Sequence, residues 1–232
     1  MAPACLKARC PMDRDELRYS RQRDIVPPDR LAGCKATVVG VGAIGRQVAQ
    51  QLAAMGVPWL QLVDPEVVEP SNLASQGYLE ADLGRFKAQA TGELCRRINA
   101  KLEIYAVTER FRRSMDVGDA LFCAVDRIEV RQLIWNSVND RVACFVDGRM
   151  NGEAIRIVSA ADPASLLHYP ATLFTAQEVH PGSCTAKTTI YCANVAAGLM
   201  LTQFTRWLRG LPVEPDLSVN LLSSELTVMP AG

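Results

Sequence analysis

The chain has 232 residues, of which 49% are hydrophobic and 22% are charged, and this composition fits one globular α/β domain with a modest extension. Its formal net charge is zero, so no overall basic field argues for a nucleic-acid partner. No apolar run reaches the roughly 18 residues that span a bilayer, and the polar N-terminus has no signal-peptide core. We therefore expect a cytoplasmic protein without a membrane partner.

The first part of the chain alternates between strands and helices. Residues 1–17 read as a flexible leader, although a short helix is predicted within 13–26, and a single domain follows over 18–232. Apolar strands are predicted at 35–41, 59–64, 102–111, 120–126 and 142–150, and helical stretches separate most of them. This alternation predicts right-handed βαβ units and a doubly wound, Rossmann-like sheet.

After residue 150 the pattern changes. A strand is predicted at 153–162, and a long irregular stretch follows, with a crossover-type loop at about 163–185. A helix then ends at Gly210, and 217–230 alternates enough for one or two closing strands. The predicted fold class is therefore α/β, with a mixed sheet that is parallel in its N-terminal half and antiparallel in its C-terminal strands.

A glycine run marks the first strand-to-helix junction. Gly40, Gly42 and Gly45 form Gly-x-Gly-x-x-Gly, a pattern that lets a phosphate approach the positive end of a helix. Asp64 ends the second strand nineteen positions later, where a carboxylate accepts hydrogen bonds from ribose hydroxyls. A turn-forming aspartate before Pro65 is the alternative. NAD and ATP fit these residues equally well.

Three further residues favour ATP. Asn72 can hydrogen-bond to phosphate or ribose, and Lys87 stands at a helix start, where a cation is unfavourable unless an anion is nearby. Asp126 ends the fourth strand, at the edge where α/β folds bind ligands, and a carboxylate there can hold Mg²⁺ against phosphates. The alternatives are a surface lysine and a helix-capping aspartate.

Taken together, these motifs resemble one family. "RYSRQ" (18–22), the glycine run, "VDPEVVEPSNLASQ" (63–76), "GRFK" (84–87) and "VDRIEVR" (125–131) stand in the order and near-spacing of the ThiF/MoeB/HesA family. That family is the adenylation-domain group of the ubiquitin-activating-enzyme superfamily. The resemblance covers roughly residues 18–210.

The resemblance implies ATP and Mg²⁺ as cofactors and a ubiquitin-like protein with a C-terminal glycine as the partner. The carboxylate of that glycine would attack the α-phosphate and give an acyl-adenylate and pyrophosphate. A homodimer and a conjugating-enzyme-like partner are also implied. Carried onto this chain, the glycines approach the nucleotide, Asp64 takes the ribose, Asn72 and Lys87 contact phosphates, Asp126 takes Mg²⁺, and Arg21 crosses a dimer interface to the partner's phosphates.

The chain departs from the family pattern at three places. Ser75 stands where a phosphate-binding arginine is expected, and Arg149 or Arg46 is a candidate to compensate. Arg127 follows Asp126 where an asparagine is common. The eight cysteines form no Cys-x-x-Cys pair, so we expect no structural zinc. Most of the cysteines are expected in the core: Cys34, Cys95, Cys123, Cys144 and Cys192.

Cys184 differs from the other cysteines. It precedes a predicted helix and lies near Lys187, and both features lower a thiol pKa and favour a nucleophilic thiolate. Relatives often have a cysteine here, which implies a thioester or acyl-persulfide role. A small residue at a loop–helix joint is the alternative, and the nearby His180 is a candidate for proton transfer.

Four functions remain open from the sequence. The first is activation of a ubiquitin-like modifier for conjugation, and the second is activation of a sulfur carrier. The missing cysteine pairs and the lack of a rhodanese-like extension favour conjugation slightly. The third is an NAD(P)-dependent oxidoreductase, which gives no role to Lys87, Asp126 or "RYSRQ". The fourth is a non-catalytic family member that only binds a partner.

Overall fold

One eight-stranded sheet forms the centre of the molecule. The computed structural model describes residues 14–173 and 188–230. The strands are β1 Lys35–Val39, β2 Trp59–Val63, β3 Glu103–Val107, β4 Ala120–Cys123, β5 Cys144–Asn151, β6 Ala154–Ala160, β7 Asp216–Asn220 and β8 Glu225–Met229. Their order across the sheet is β3-β2-β1-β4-β5-β6-β7-β8.

Eight α-helices accompany the sheet in the described residues. They are α1 Arg14–Tyr19, α2 Pro28–Ala32, α3 Ala43–Met55, α4 Pro70–Gln76, α5 Lys87–Ile98, α6 Ile128–Val138, α7 Pro163–His168 and α8 Ile190–Leu208. Two short 3-10 helices span Glu80–Asp82 and Tyr169–Thr172. None of these described helices combines the length and apolarity that a membrane crossing demands.

The sheet is mixed, and the predicted fold class is confirmed. Strands β1 to β5 pair in parallel, whereas β6, β7 and β8 each pair antiparallel to the strand before them. The strand order reverses at β1, which lies between β2 and β4. Such a reversal opens a crevice at the carboxyl ends of the strands, and open α/β sheets bind ligands there.

Both faces of the sheet are covered by apolar packing. One buried cluster joins β1 and β2 to α3, α5 and α8, and it includes Leu52, Met200 and Phe204. The other joins the opposite face to α6 and the second 3-10 helix, and it includes Trp135 and Tyr169. The five cysteines expected in the core are all buried, as the apolar context of each predicted.

Two glycines allow α3 to pack against the end of β1. Gly40 has a φ of +85°, and a Cβ atom there would lie 2.7 Å from the carbonyl oxygen of Ala124. A Cβ atom on Gly45 would overlap the carbonyl oxygen of Gly40. Helix α3 ends at Met55, and the left-handed conformation of Gly56 (φ 96°) caps its last turn. A side chain at Gly45 would therefore push α3 away from the sheet, and one at Gly40 would collide with the backbone after β4.

Helix α1 lies where the predicted leader over 1–17 overlaps the short helix predicted within 13–26. Helix α1 begins at Arg14, so four residues assigned to the leader are helical. A guanidinium nitrogen of Arg18 donates to the carbonyl oxygen of Ile98, and the ring of Tyr19 packs against Gly56. These contacts dock the end of α1 on the domain. Residues 1–13 lie outside the described residues.

The predicted crossover-type loop at 163–185 begins with helical structure. Asp162 caps α7 by accepting hydrogen bonds from the backbone N–H groups of Ala164 and Ser165. In the 3-10 helix that follows, Tyr169 is fully buried, and its hydroxyl donates to Asp147. Long loops usually lie on the surface, but this stretch buries an aromatic ring and becomes ordered around it. Residues 174–187 lie outside the described residues.

We expect Gly45→Ala to destabilise the fold by about 3 kcal/mol or more, since the added methyl group overlaps backbone that cannot move without shifting α3. Urea denaturation followed by circular dichroism measures this change. Gly198→Ala is the matched control in α8, because no atom of the described residues lies within 4 Å of the added methyl group. It should stabilise the protein by up to about 1 kcal/mol. Equal effects of the two variants would contradict the packing argument.

Candidate functional site

Asp64 holds the glycine turn at the end of β1. Its Oδ2 accepts the backbone N–H of Val41 at 2.6 Å, and its Oδ1 accepts the N–H of Glu66 at 2.8 Å. Burial raises the pKa of this carboxyl above its usual value, and the two backbone N–H groups oppose that rise. Both oxygens therefore shape the turn, and the ribose contact expected of Asp64 stays a prediction.

Gly42 differs from the other two glycines of the run. A Cβ atom on Gly42 would meet nothing nearer than Oε1 of Gln76, at 3.8 Å. Among the described residues no side chain caps the first turn of α3, and that turn contains no acidic residue. The free backbone N–H groups of a helix N-terminus attract anions. The described protein atoms therefore leave an open cradle at Gly42, whereas Gly40 and Gly45 are required by packing.

Asn72 lies in the first turn of α4, which follows β2. Its Oδ1 accepts the backbone N–H of Glu69 at 3.0 Å, as in a capping box. Its Nδ2 has only a long contact of 3.4 Å to the hydroxyl of Ser71. The amide is thus held by its oxygen, and its two N–H donors remain suited to an acceptor such as phosphate.

Lys87 forms an ion pair with Glu66. Its Nζ lies 2.6 Å from Oε2 of Glu66, and its backbone N–H donates to the carbonyl oxygen of Glu66 at 2.9 Å. The lysine side chain is 6% exposed, and the glutamate side chain is 67% exposed. A buried ammonium group therefore stands at the start of α5, the position that the sequence predicted for Lys87, with one exposed carboxylate beside it.

Asp126 lies three residues beyond the end of β4 and is exposed. Its carboxylate forms no hydrogen bond or close ion pair within residues 14–173 and 188–230, although its charge acts on the guanidinium of Arg131. Mg²⁺ usually takes one or two protein carboxylates and completes its shell with water and substrate phosphates. A single free carboxylate at this edge therefore fits Mg²⁺. No group of three or more His, Cys, Asp or Glu suited to a metal lies in residues 14–173 and 188–230.

Arg21 lies far from this cluster. Gln22 donates through Nε2 to the carbonyl oxygen of Met55, and Tyr19 packs against Gly56 at the far end of α3. Helix α3 has 13 residues, so this end lies about 20 Å from the glycine turn. The structure thus brings the three glycines, Asp64, Asn72, Lys87 and Asp126 to one edge of the sheet and leaves Arg21 at the opposite edge.

Tyr78 supports the glycine turn through a hydrogen bond to its backbone, and sequence reasoning missed this residue. Its hydroxyl donates to the carbonyl oxygen of Val41 at 2.6 Å and lies 3.2 Å from the hydroxyl of Thr91. The guanidinium of Arg46 stacks on the Tyr78 ring, with 3.9 Å between its central carbon and the ring centroid. No local pattern marks Tyr78, because its partners come from two other segments of the chain, the start of α3 and the first turns of α5.

A family model described as the ThiF family matches residues 19–229. The chain belongs to the ThiF family. The mouse protein named adenylyltransferase and sulfurtransferase MOCS3 is 39% identical over 161 residues, which are 63% of this chain and 33% of that protein. The SAMP-activating enzyme E1 of Haloferax volcanii is 38% identical over 128 residues, 50% of this chain and 47% of that protein. The chain therefore spans a third to a half of these relatives.

A solved structure shares the fold. Escherichia coli MccB, crystallised with ATP, superposes with a TM-score of 0.73 over 93% of this chain and 72% of that chain. The two sequences are 16% identical, so the likeness concerns the fold alone. The ThiF family and this structural likeness agree with the mixed sheet described above.

Arg46 does not replace the arginine that the ThiF family pattern expects in α4, at the position of Ser75. Ser75 donates its hydroxyl to the carbonyl oxygen of Ser71. Arg46 is fully buried beneath α4, where it donates to the carbonyl oxygen of Gly77 and to the hydroxyl of Thr91. The suggestion that Arg46 replaces the missing arginine is therefore wrong, because its side chain is confined to the interior.

Arg149 lies near the carboxyl end of β5, and its guanidinium group is already bound to other side chains and backbone of this chain. Its Nε is 2.8 Å from Oδ2 of Asp147, and its two terminal nitrogens donate to the carbonyl and hydroxyl oxygens of Thr172. Asp147 is fully buried and also pairs with Arg131 of α6. Sequence reasoning missed Asp147, although a carboxylate near the end of a parallel strand was the signal that selected Asp64 and Asp126.

Cys184 and His180 lie outside the described residues, so the structure leaves the expected reactive thiol as a prediction.

Removing the Tyr78 hydroxyl tests its support of the glycine turn. We expect Tyr78→Phe to cost about 1–3 kcal/mol, because the buried carbonyl oxygen of Val41 loses its donor. Tyr105→Phe is the matched control on the exposed face of β3, and it should change stability by less than about 0.5 kcal/mol. Urea denaturation of both variants measures these changes. If Tyr78→Phe leaves the free energy of unfolding unchanged, this hydrogen bond does not support the turn.

Proposed function

We propose that this ThiF-family chain is an ATP- and Mg²⁺-dependent adenylyltransferase that activates the C-terminal glycine of a ubiquitin-like protein. The observation that carries the proposal is the juxtaposition, at one crevice, of the open α3 N-terminus, Lys87, Asn72 and the free carboxylate of Asp126. The names of the mouse and Haloferax relatives support adenylation and E1-type activation. The ATP-bound crystal of MccB supports the same nucleotide on this fold.

Each group has a defined part in this proposal. The N–H groups at Gly42 and the ammonium of Lys87 hold phosphate oxygens, and Asp64 orients the ribose. Mg²⁺, held by Asp126, would neutralise charge on the phosphates. A carboxylate oxygen of the partner's glycine attacks the α-phosphorus, a new C–O–P linkage forms, and the bond to the β-phosphate oxygen breaks to release pyrophosphate. Positive groups that face the transferring phosphorus stabilise the charge in this transition state.

The outer strands provide a surface for the partner's tail in this proposal. Arg149, Arg156, Ser218 and Thr227 are consecutive cross-strand neighbours on β5 to β8, so they share one face of the sheet. They contribute to a cavity of about 410 Å³. This polar row ends at the carboxyl edge of β5, two strands from β1. An extended tail along it would point its carboxylate towards the nucleotide crevice.

The remaining parts of the mechanism are also proposals. Because Arg21 lies about 20 Å from its own crevice, its expected contact with phosphate requires a second copy of the chain, as in the predicted homodimer. Cys184 would take the acyl group as a thioester and pass it to a conjugating-enzyme-like partner. Sulfur-carrier activation is the second candidate, and the word "sulfurtransferase" in the mouse relative's name favours it. The cytoplasmic location stays a prediction.

Two other functions remain as alternatives. An NAD(P)-dependent oxidoreductase would use the glycine run and Asp64 but gives no role to the buried ammonium of Lys87 or to Asp126. A binding protein without catalysis is favoured by one observation, the serine at position 75 in place of the expected arginine. Binding of a ubiquitin-like partner without adenylation would identify that case.

The adenylation step can be tested by ATP–pyrophosphate exchange with a panel of small ubiquitin-fold proteins that end in glycine. We expect Asp126→Ala to lower the exchange rate about 100-fold or more, because the carboxylate that positions Mg²⁺ is lost. Asp140→Ala is the matched control, since Asp140 is an exposed aspartate just after the C-terminal end of α6, whereas Asp126 precedes that helix. An exchange rate that Asp126→Ala leaves unchanged would remove this residue from the mechanism.

The thioester step has its own test. Incubation with the partner, ATP and Mg²⁺ should give an adduct that thiols cleave, and Cys184→Ala should abolish it while pyrophosphate exchange persists. Cys95→Ala is a control at a buried thiol, whose pKa burial raises to about 12, so it should keep the adduct. An adduct that survives Cys184→Ala would exclude that cysteine as the acceptor.

A further inference from the structure

We infer that Glu66 is an internal substitute for phosphate at Lys87, and that ATP must displace its carboxylate to bind. Glu66 would then weaken the affinity for polyphosphate nucleotides and act as a specificity-determining residue of the site. The inference rests on the proposed function, because it concerns the binding of ATP to that crevice.

The backbone brings the two charged groups together. The segment that carries Glu66 lies antiparallel to the segment before α5, with an isolated bridge between Val67 and Phe86. The N–H of Lys87 donates to the carbonyl oxygen of Glu66, and the N–H of Val68 donates to the carbonyl oxygen of Arg85. Backbone hydrogen bonds therefore hold the two residues of the ion pair next to each other.

The two partners differ in their freedom to move. The Lys87 side chain is almost fully buried, and an ammonium group in such a place requires a counter-charge. Glu66 is largely exposed, so its carboxylate can rotate into water once another anion supplies the counter-charge of Lys87. Lys87 thus stays in place while Glu66 is exchangeable. A phosphate oxygen can take the position of the carboxylate and restore the counter-charge.

The neighbouring charges make this exchange necessary. Both oxygens of Asp64 are held by backbone N–H groups, so this second carboxylate cannot leave the site. Asp64, Glu66 and Lys87 together carry one net negative charge, which repels an incoming polyphosphate. Rotation of Glu66 into water removes one negative charge from the contact zone and frees the ammonium. Only a ligand with phosphates gains from this movement.

Calorimetric titration of the full chain with ATP and Mg²⁺ tests the inference, with adenosine as the phosphate-free probe. We expect Glu66→Gln to lower the Kd for ATP about three- to tenfold, because a neutral amide is a weaker competitor for the ammonium than a carboxylate. Adenosine affinity should stay unchanged. Glu80→Gln removes the same charge from an exposed glutamate on the 3-10 helix before α5, and it should change the Kd for ATP less than about twofold.

The Lys87→Met variant separates displacement of the Glu66 carboxylate from a general repulsion between Glu66 and ATP. In that background Glu66→Gln should no longer tighten ATP binding, since the two effects act through one contact. If Glu66→Gln weakens ATP binding, leaves it unchanged, or tightens adenosine equally, the inference fails while the proposed function stands. If the folded wild-type protein binds no ATP, the proposed function and the inference fall together.

Discussion

The close contact between the start of α3 and the end of β1 is the constraint on which the rest of the structure depends. Gly45 lies against the carbonyl oxygen of Gly40, and Gly40 lies against the end of β4. Because no side chain separates these backbones, α3 lies deep on the sheet, where its buried face meets α5 and α8. The same approach points the uncapped N-terminus of α3 at the crevice between β1 and β4. The contact between Gly45 and Gly40 thus determines both the packing of α3 on the sheet and the position of the open helix N-terminus.

The crevice combines rigid groups with one movable group. Asp64 is held through both oxygens, Tyr78 fixes the carbonyl of Val41, and Lys87 is buried at the start of α5. Groups held in this way lose little entropy when a ligand arrives, which is the basis of preorganisation. Glu66 is the exception, because its side chain faces water. The site is therefore preorganised in its cations and backbone donors and adjustable in one carboxylate.

Most of the fold and part of the site were predictable from the sequence, for reasons that particular residues make clear. Lys87 was identified because a cation at a helix start contradicts the helix dipole. Asp64 and Asp126 were identified because they follow parallel strands. Arg46 was misjudged because its neighbours in sequence do not show that Tyr78 and Thr91 surround it. The docking of α1 was not predictable, because its contacts come from residues about 40 and 80 positions away.

The sequence by itself determined the succession of strands and helices along the chain and the residues that follow each parallel strand, because these depend on local periodicity and on the position of each residue after its strand. Only the tertiary structure decided which glycine is free for a ligand, which arginine is buried and which acid pairs with Lys87. Those outcomes depend on atoms from segments far apart in the chain. Gly42 and Gly45 look alike in the sequence, and only the position of the Gly40 carbonyl oxygen separates a residue required by packing from one open to a ligand.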